Sequence, residues 1–232
     1  MTDKYENFAE LERNEKEGRD FRICLRHPGV ATSVIAPHGG DIEPGTSEIA
    51  DAIAGDDFSF YAFEGIKKHG RNRDLHITSH RFDEPKCVNL VKASTRTIAI
   101  HGHKAEAAVV YLGGRDTRAL KVLRATLLAR GFRVKTDHRP RLQGHHKGNI
   151  CNRTQSGTGV QLEITRGLRR SFFQGLRRDG RRHKTERFRE FVAAVRKSFG
   201  ERLSKSHDGD TPPRSSNRAS KARVRRRNGR LE

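Results

Sequence analysis

The sequence predicts an α/β fold, a single domain with a mixed, largely parallel central sheet flanked by helices. Two observations predict it. Apolar runs of strand length alternate along the chain with segments of helical apolar period, and alternating strands and helices build a sheet covered on both faces. The 232 residues also suffice for one sizeable domain and not for two comfortable ones. The domain is placed at residues 21–200, after a polar segment 1–20 and before a tail 201–232.

Residues 31–36 (ATSVIA) read as a short buried strand that ends at Pro37. The turn PHGGDIEPGT follows. A helix then covers 47–54, with Thr46 or Ser47 as its N-cap and Glu48 in its first turn. Residues 58–63 (FSFYAF) and 75–78 are strand candidates, and 87–93 sit on a short helix. Residues 97–100 (TIAI) form the next strand and run into His101-Gly102. Residues 109–112 (VVYL) form another, closed by Gly113-Gly114. A helical period runs through Leu120, Leu123, Leu127 and Leu128, with Gly131 as C-cap. Short strands follow at 132–134 and 160–164 (VQLEI). Residues 185–199 form an amphipathic helix with Phe188, Phe191, Val192 and Val195 on one face. From about Gly200 large apolar side chains almost vanish, so the tail has too little to bury to offset its ordering entropy and is expected to be disordered.

The formal net charge of +20 is the strongest global signal. Such a surface attracts polyanions. Nucleic acid is the commonest of these, and much of the basic excess is read into the Arg-rich end, which would bind it non-specifically. Yet no helix-turn-helix or RNA-binding signature occurs, and with three Tyr and no Trp the chain has few aromatic platforms beyond its Phe. No stretch approaches the ~20 apolar residues of a membrane helix, and residues 1–20 lack the apolar segment of a secretory signal. A cytoplasmic protein, released if at all by lysis, is the expectation. Cys24, Cys87 and Cys151 are widely spaced and form no CxxC pair, which argues against a disulfide framework.

Three features fall at the C-terminal ends of predicted strands, where open α/β sheets bind ligands. The first is His38-Gly39-Gly40-Asp41-Ile42-Glu43. A His and a nearby carboxylate are good zinc ligands, and the glycines let the backbone fold tightly around one ion. The second is His101 in IHGH, a natural third ligand with His103 beside it. The third is Glu163, a carboxylate in an otherwise apolar strand, costly to bury unless paired or functional. The bland alternatives are, in turn, a Gly-rich turn with His and Glu solvated, a satisfied His at a strand end, and an outward-facing Glu on an alternating strand. No spacing matches HExxH. Together the residues form a minimal kit for metal-assisted amide hydrolysis.

The segments APHGGDIEPGTSEIA, FYAFEG, LHITSHRFDEP, IAIHGHKAEAAVVYLGGRD and GVQLEITRGLR, in this order, resemble the poly-γ-glutamate hydrolase family, which is often phage-related. The resemblance covers residues 21–199. It implies a zinc-carboxypeptidase-like fold with an eight-stranded mixed sheet and one zinc ion per chain. His38, Glu43 and His101 would be its ligands, and Glu163 the general base that activates the attacking water. Asp41 is the competing carboxylate, since it stands three residues after the His as in carboxypeptidases. Arg166 or Arg169 would hold a glutamate carboxylate, with His76 and Tyr61 lining the site. His145, His146, Asn149 and Asn152 lie on a loop that could reach substrate. The implied partner is polyanionic poly-γ-glutamate. A nucleic-acid-binding protein and a zinc carboxypeptidase or deacylase acting on another acidic amide are the competing functions.

Overall fold

The computed structural model describes residues 3–205, so nearly all of the expected disordered tail lies outside the described residues. Seven strands form one sheet: β1 (Phe21–Arg26), β2 (Thr32–Gly40), β3 (Ser59–Gly65), β4 (Arg96–His103), β5 (Val110–Gly114), β6 (Val134–Lys135) and β7 (Val160–Thr165). Their order is β1-β3-β2-β4-β7-β5-β6. The central strands β3, β2, β4 and β7 run parallel. β1 on β3 and β5 on β7 are antiparallel, and β6 is parallel to β5. The sheet is mixed and largely parallel as expected, with seven strands among the described residues where the resemblance implied eight.

Side-chain alternation along the strands creates two cores. Val34 and Ala36, Ile98 and Ile100, and Val160, Leu162 and Ile164 face one side. There they meet α2 (Thr46–Ala54), α4 (Thr117–Ala129), α5 (Arg166–Phe172) and α7 (Glu186–Lys205). Ile35, Tyr61, Phe63 and Ala99 face the other side, against α1 (Phe8–Asn14) and α3 (Pro85–Ala93). A short helix α6 (Arg178–Arg182) completes the helical set. Among the described residues no helix is long and apolar enough to cross a membrane. All three cysteines are free thiols, two of them buried.

Several local expectations shift. Residues 75–78 are not a strand: Asn72–Leu75 is a 3-10 turn and the residues after it are extended without pairing. Leu75 and Ile77 are both buried, so the alternation that suggested a strand is real, but it serves a loop packed on the second core. β1 was not expected, because FRICLR mixes charged and apolar residues at an edge. The segment 1–20 is not merely polar: Tyr5, Phe8 and Leu11 pack with Phe21 and Phe63.

Leu11 is fully buried. Leu11→Ala should lower unfolding free energy by about 2–5 kcal/mol, the usual cost of a large cavity. Denaturant titration checks this, and a change within error would place the N-terminal helix outside the cooperative unit.

Candidate metal centre

The centre begins with an irregularity in β2. Ala36 pairs with Ala62 and Gly39 pairs with Glu64, so β2 carries one extra residue between them. Pro37 lies in this bulge. A proline cannot donate to a ladder, so a bulge is where a central strand tolerates it. The extra residue also inverts the alternation. His38 would otherwise follow Val34 and Ala36 into the helical core. Instead it emerges on the second face, beside His101, which follows Ala99 there. The parallel register of β4 and β7 then sets Glu163 directly beside His101.

The turn after His38 is clamped from within. Gly40 adopts φ +62°, where a side chain would be strained, and a Cβ at Gly39 would strike Ser47. Gly40 N donates to Ser47 Oγ (3.0 Å), and Thr46 Oγ1 donates to the carbonyls of His38 (3.2 Å) and Glu43 (2.9 Å). The turn returns Glu43 toward β4, where Gly102 N donates to its Oε2 (2.8 Å). Gly102 has to be glycine for this approach, because a Cβ there would lie 2.8 Å from both Glu43 Cβ and the Arg169 guanidinium carbon.

Three ligand atoms converge. His38 Nδ1 lies 3.1 Å from His101 Nδ1 and 3.5 Å from Glu43 Oε2, and His101 Nδ1 lies 3.9 Å from Glu43 Oε2. Tetrahedral zinc with bonds of about 2.0–2.1 Å spaces its ligands roughly 3.3 Å apart, so the triangle brackets the required size. The Ile77 carbonyl, 2.8 Å from His38 Nε2, can only accept, so Nε2 carries a hydrogen and Nδ1 is left for the cluster. His76 joins the group: its ligand atom and those of His38 and Glu43 all lie within 4.8 Å of one another. Its ring stacks on His38 at 4.0 Å, and its Nδ1 is 2.7 Å from Asp3 Oδ1.

The charges suit a cation. Burial pushes the His101 imidazole down to about 3, with His38 adding to the effect, so His101 is neutral at ordinary pH and free to ligate. Burial would raise the Glu43 carboxyl, but the imidazoles of His38 and His101 outweigh it and hold Glu43 below the ordinary carboxylate range. Burial pushes Glu163 up to about 8, and the Glu43 carboxylate reinforces the shift. Gln161 Nε2 donates to Glu163 Oε1 (3.0 Å), and Asn149 Nδ2 donates to Gln161 Oε1 (2.9 Å), so the carboxylate is oriented from behind.

The other predicted residues separate clearly. Asp41 accepts from Arg178 (2.7 Å) and Arg181 (2.9 Å), away from the histidines, which leaves Glu43 as the carboxylate at the cluster. Tyr61 is fully buried against Phe82 in the second core and does not line an open site. Arg166 lies on the surface, 3.6 Å from Glu106. Arg169 is buried and donates to the carbonyls of Ile164, His103 and Pro44, so its hydrogens brace the backbone. His103 accepts from Ala105 N at Nδ1, and its Nε2 meets Arg139 Nη2 at 2.6 Å. Asn149 and Asn152 are buried loop struts, whereas His145 and His146 are exposed.

Sequence reasoning missed Asp3, Arg73, Arg139 and the support role of Gln161. Arg73 is exposed and reaches to 3.5 Å from Glu43 Oε1. Arg139 is held by Asp137, and its charge interacts with Glu163. No local pattern marks Asp3, Arg73 or Arg139, because each arrives from a distant segment, whereas Gln161 shares the face of Glu163 two positions along β7.

A family model described as poly-gamma-glutamate hydrolase matches residues 5–194. The chain belongs to the poly-gamma-glutamate hydrolase family. It is 35% identical over 197 residues to YmaC of Bacillus subtilis, covering 84% of this chain and 83% of YmaC. It is 34% identical to the SPbeta prophage-derived YoqZ of the same organism, covering 87% and 73% of the two chains. Among solved structures, a bacteriophage poly-gamma-glutamate hydrolase superposes with TM-score 0.84 at 31% identity, covering 88% of this chain and all of the other. A zinc-free form of YndL superposes with TM-score 0.80 at 33% identity, covering 87% and 99%. The chain is thus a hydrolase of this family, with the family's α/β fold.

Two predictions follow from the geometry of this hydrolase. Asp3 also accepts from Thr78 N (2.7 Å) and Arg81 Nη2 (3.0 Å), so it fixes the whole His76 segment. Asp3→Ala should lower unfolding free energy by about 1–3 kcal/mol, the cost of leaving its buried partners unsatisfied, as denaturant titration would measure. A carboxyl with a raised folded pKa makes the fold bind extra protons. Its contribution to stability therefore falls as pH rises from the ordinary 4.5 toward about 8. In metal-free protein, Glu163→Gln should remove that decline. Thermal melts at pH 5 and pH 8 that shift equally in both proteins would contradict it.

Proposed function

We propose that the chain is a zinc-dependent amide hydrolase that cleaves γ-glutamyl linkages of poly-γ-glutamate. The observation that carries the reading is the placement of Glu163, buried with its carboxyl pushed up to about 8, beside the converging His38, Glu43 and His101. The family membership supports the substrate, and the existence of a zinc-free form of the related YndL supports the metal. His38, Glu43 and His101 would hold the ion in this reading, with His76 close to His38 and Glu43.

Zinc bound there would supply Lewis-acid polarisation of the attacking water and of the amide carbonyl. Glu163 takes the water's proton and later passes it to the leaving amine. A carboxyl tuned toward neutrality can do both, because the ideal acid–base group has a pKa near the working pH. A cation held in the cluster would favour its ionised form, so the carboxyl would titrate lower in the loaded site than in the metal-free one. Gln161 holds the carboxylate in one orientation through the whole cycle. Arg73, exposed, and Arg139, half-buried, are the guanidinium groups positioned to receive glutamate carboxylates. Arg169 serves by holding the backbone of Pro44, His103 and Ile164 in place. The nucleic-acid alternative rested on the net charge of +20 and on the basic end of the chain, and nearly all of that end lies outside the described residues.

Glu163→Gln should lower kcat for poly-γ-glutamate depolymerisation by about 10²–10⁴ with zinc content unchanged, the range expected on losing a general base. Size-exclusion chromatography of the polymer and metal analysis of the protein measure the two. Undiminished cleavage by a zinc-loaded variant would overturn the assignment. Chelation should abolish activity and added zinc should restore it. Cleavage of α-linked polyglutamate as fast as the γ-linked polymer would remove the linkage from the reading.

A further inference from the structure

Beyond the centre, two adjoining cavities of about 920 and 390 Å³ share Arg22, Ile66 and Arg178 in their walls. Both lie where β3 ends, toward the β1 edge of the sheet. Gly40, in the turn between His38 and Glu43, lines the smaller. Arg71 and Asp74, which flank the rim residue Arg73, line the larger. The two therefore form one groove that passes beside the segment joining His38 to Glu43 and leads away from it along the β1 edge.

Its chemistry is one-sided. Seven Lys and Arg residues line the larger cavity against three acids, Glu15, Asp20 and Asp74. Neither cavity is lined by Phe, Tyr or Trp. A track for single-stranded nucleic acid pairs its cations with aromatic platforms on which bases stack, and this groove offers none. The charge does not come mainly from the tail. Residues 201–232 hold ten Lys or Arg and four acids, so most of the +20 belongs to the rest of the chain. Two of the groove's cations are also easily recruited. Arg19 pairs with Asp20, and Arg71 with Asp74, but the arginine side chains are 64% and 78% exposed. Exposed pairs of this kind contribute little, so an incoming carboxylate displaces them at small cost.

We propose that this groove is an accessory track for the polycarboxylate chain of the substrate, gripping glutamate carboxylates at a distance from the bond being cleaved. The identity of the polymer rests on the hydrolase reading above. The track would favour long chains over short ones, because each added carboxylate in the groove adds an ion pair that a short oligomer cannot reach.

The test uses the full chain in a Glu163→Gln background, so that polymer is bound without turnover. Arg19→Glu with Lys68→Glu reverses two exposed charges in the groove. Arg118→Glu with Lys121→Glu makes the same change of net charge on exposed positions of α4. The expected result is that the groove pair weakens binding of long poly-γ-glutamate tenfold or more and flattens its salt dependence, while the α4 pair weakens it less than threefold. Equal effects of the two pairs, or none from the groove pair, would overturn the track. An oligo-dT probe is the second arm: a groove pair that weakens its binding more than that of poly-γ-glutamate would overturn the polycarboxylate assignment. Turnover by the chain with Glu163 intact is read separately. Polymer bound through the groove but never cleaved would defeat the hydrolase reading and leave the track standing.

Discussion

The period of a β-strand is two, and the centre depends on breaking it once. Without the extra residue at Pro37, His38 would share the face of Val34 and Ala36 and would point among the helices. With it, His38 meets His101 across the β2–β4 neighbourhood, and the turn that follows can bring Glu43 back over Gly102. The parallel pairing of β4 with β7 then brings in Glu163 at no further conformational cost. One backbone irregularity and one strand register thus assemble four polar side chains from three strands and a turn.

Such an assembly is expensive to keep. Four ionisable groups, His38, Glu43, His101 and Glu163, are almost entirely removed from water. Two imidazole nitrogens and a carboxylate oxygen crowd together, and a second carboxyl stands close enough for its pKa to register the first. The fold tolerates this because the surrounding shell is fully committed. Thr46 and Ser47 hold the turn, Arg169 ties three backbone carbonyls, and Asp3 holds His76, Thr78 and Arg81 together. A divalent cation would turn the crowding from a liability into ligation, which is why site and metal affinity should be coupled to stability.

Much of this was legible in the sequence. A His at the end of each of two apolar runs, and a Glu inside a third, marked β2, β4 and β7 as the strands that matter. Periodicity found most of the other elements. What it could not supply was parity. Residues 31–36 read as a strand ending at Pro37, and nothing in ATSVIAPHGG says that the strand resumes after a bulge. Nor could spacing choose between Asp41 and Glu43. The choice is made by Arg178 and Arg181, some 140 positions away in sequence, which occupy Asp41. Asp3 was overlooked for the same reason: its partners His76, Thr78 and Arg81 are remote in sequence, and residues 1–20 looked too polar to belong to the core. The segment at 75–78 failed differently, since alternating burial of Leu75 and Ile77 is as compatible with a packed loop as with a strand.

The basic residues show why composition alone stops short of function. Arg169 and Arg181 are buried and spend their hydrogens on backbone carbonyls and on Asp41 and Glu48, where they hold the fold together. Arg166 and Arg170 both face Glu106 at the surface. Among the described residues, those along the groove present charge to a ligand from a concave surface. A field that merely attracts polyanions would be satisfied by any arrangement of the same residues. A hydrolase acting on a polymer needs more, because the chain must be held while one bond is aligned with Glu163. A concave track near the turn to Glu43, with cations lining it and no aromatic surface to reward a nucleobase, would meet that requirement in a way that net charge does not.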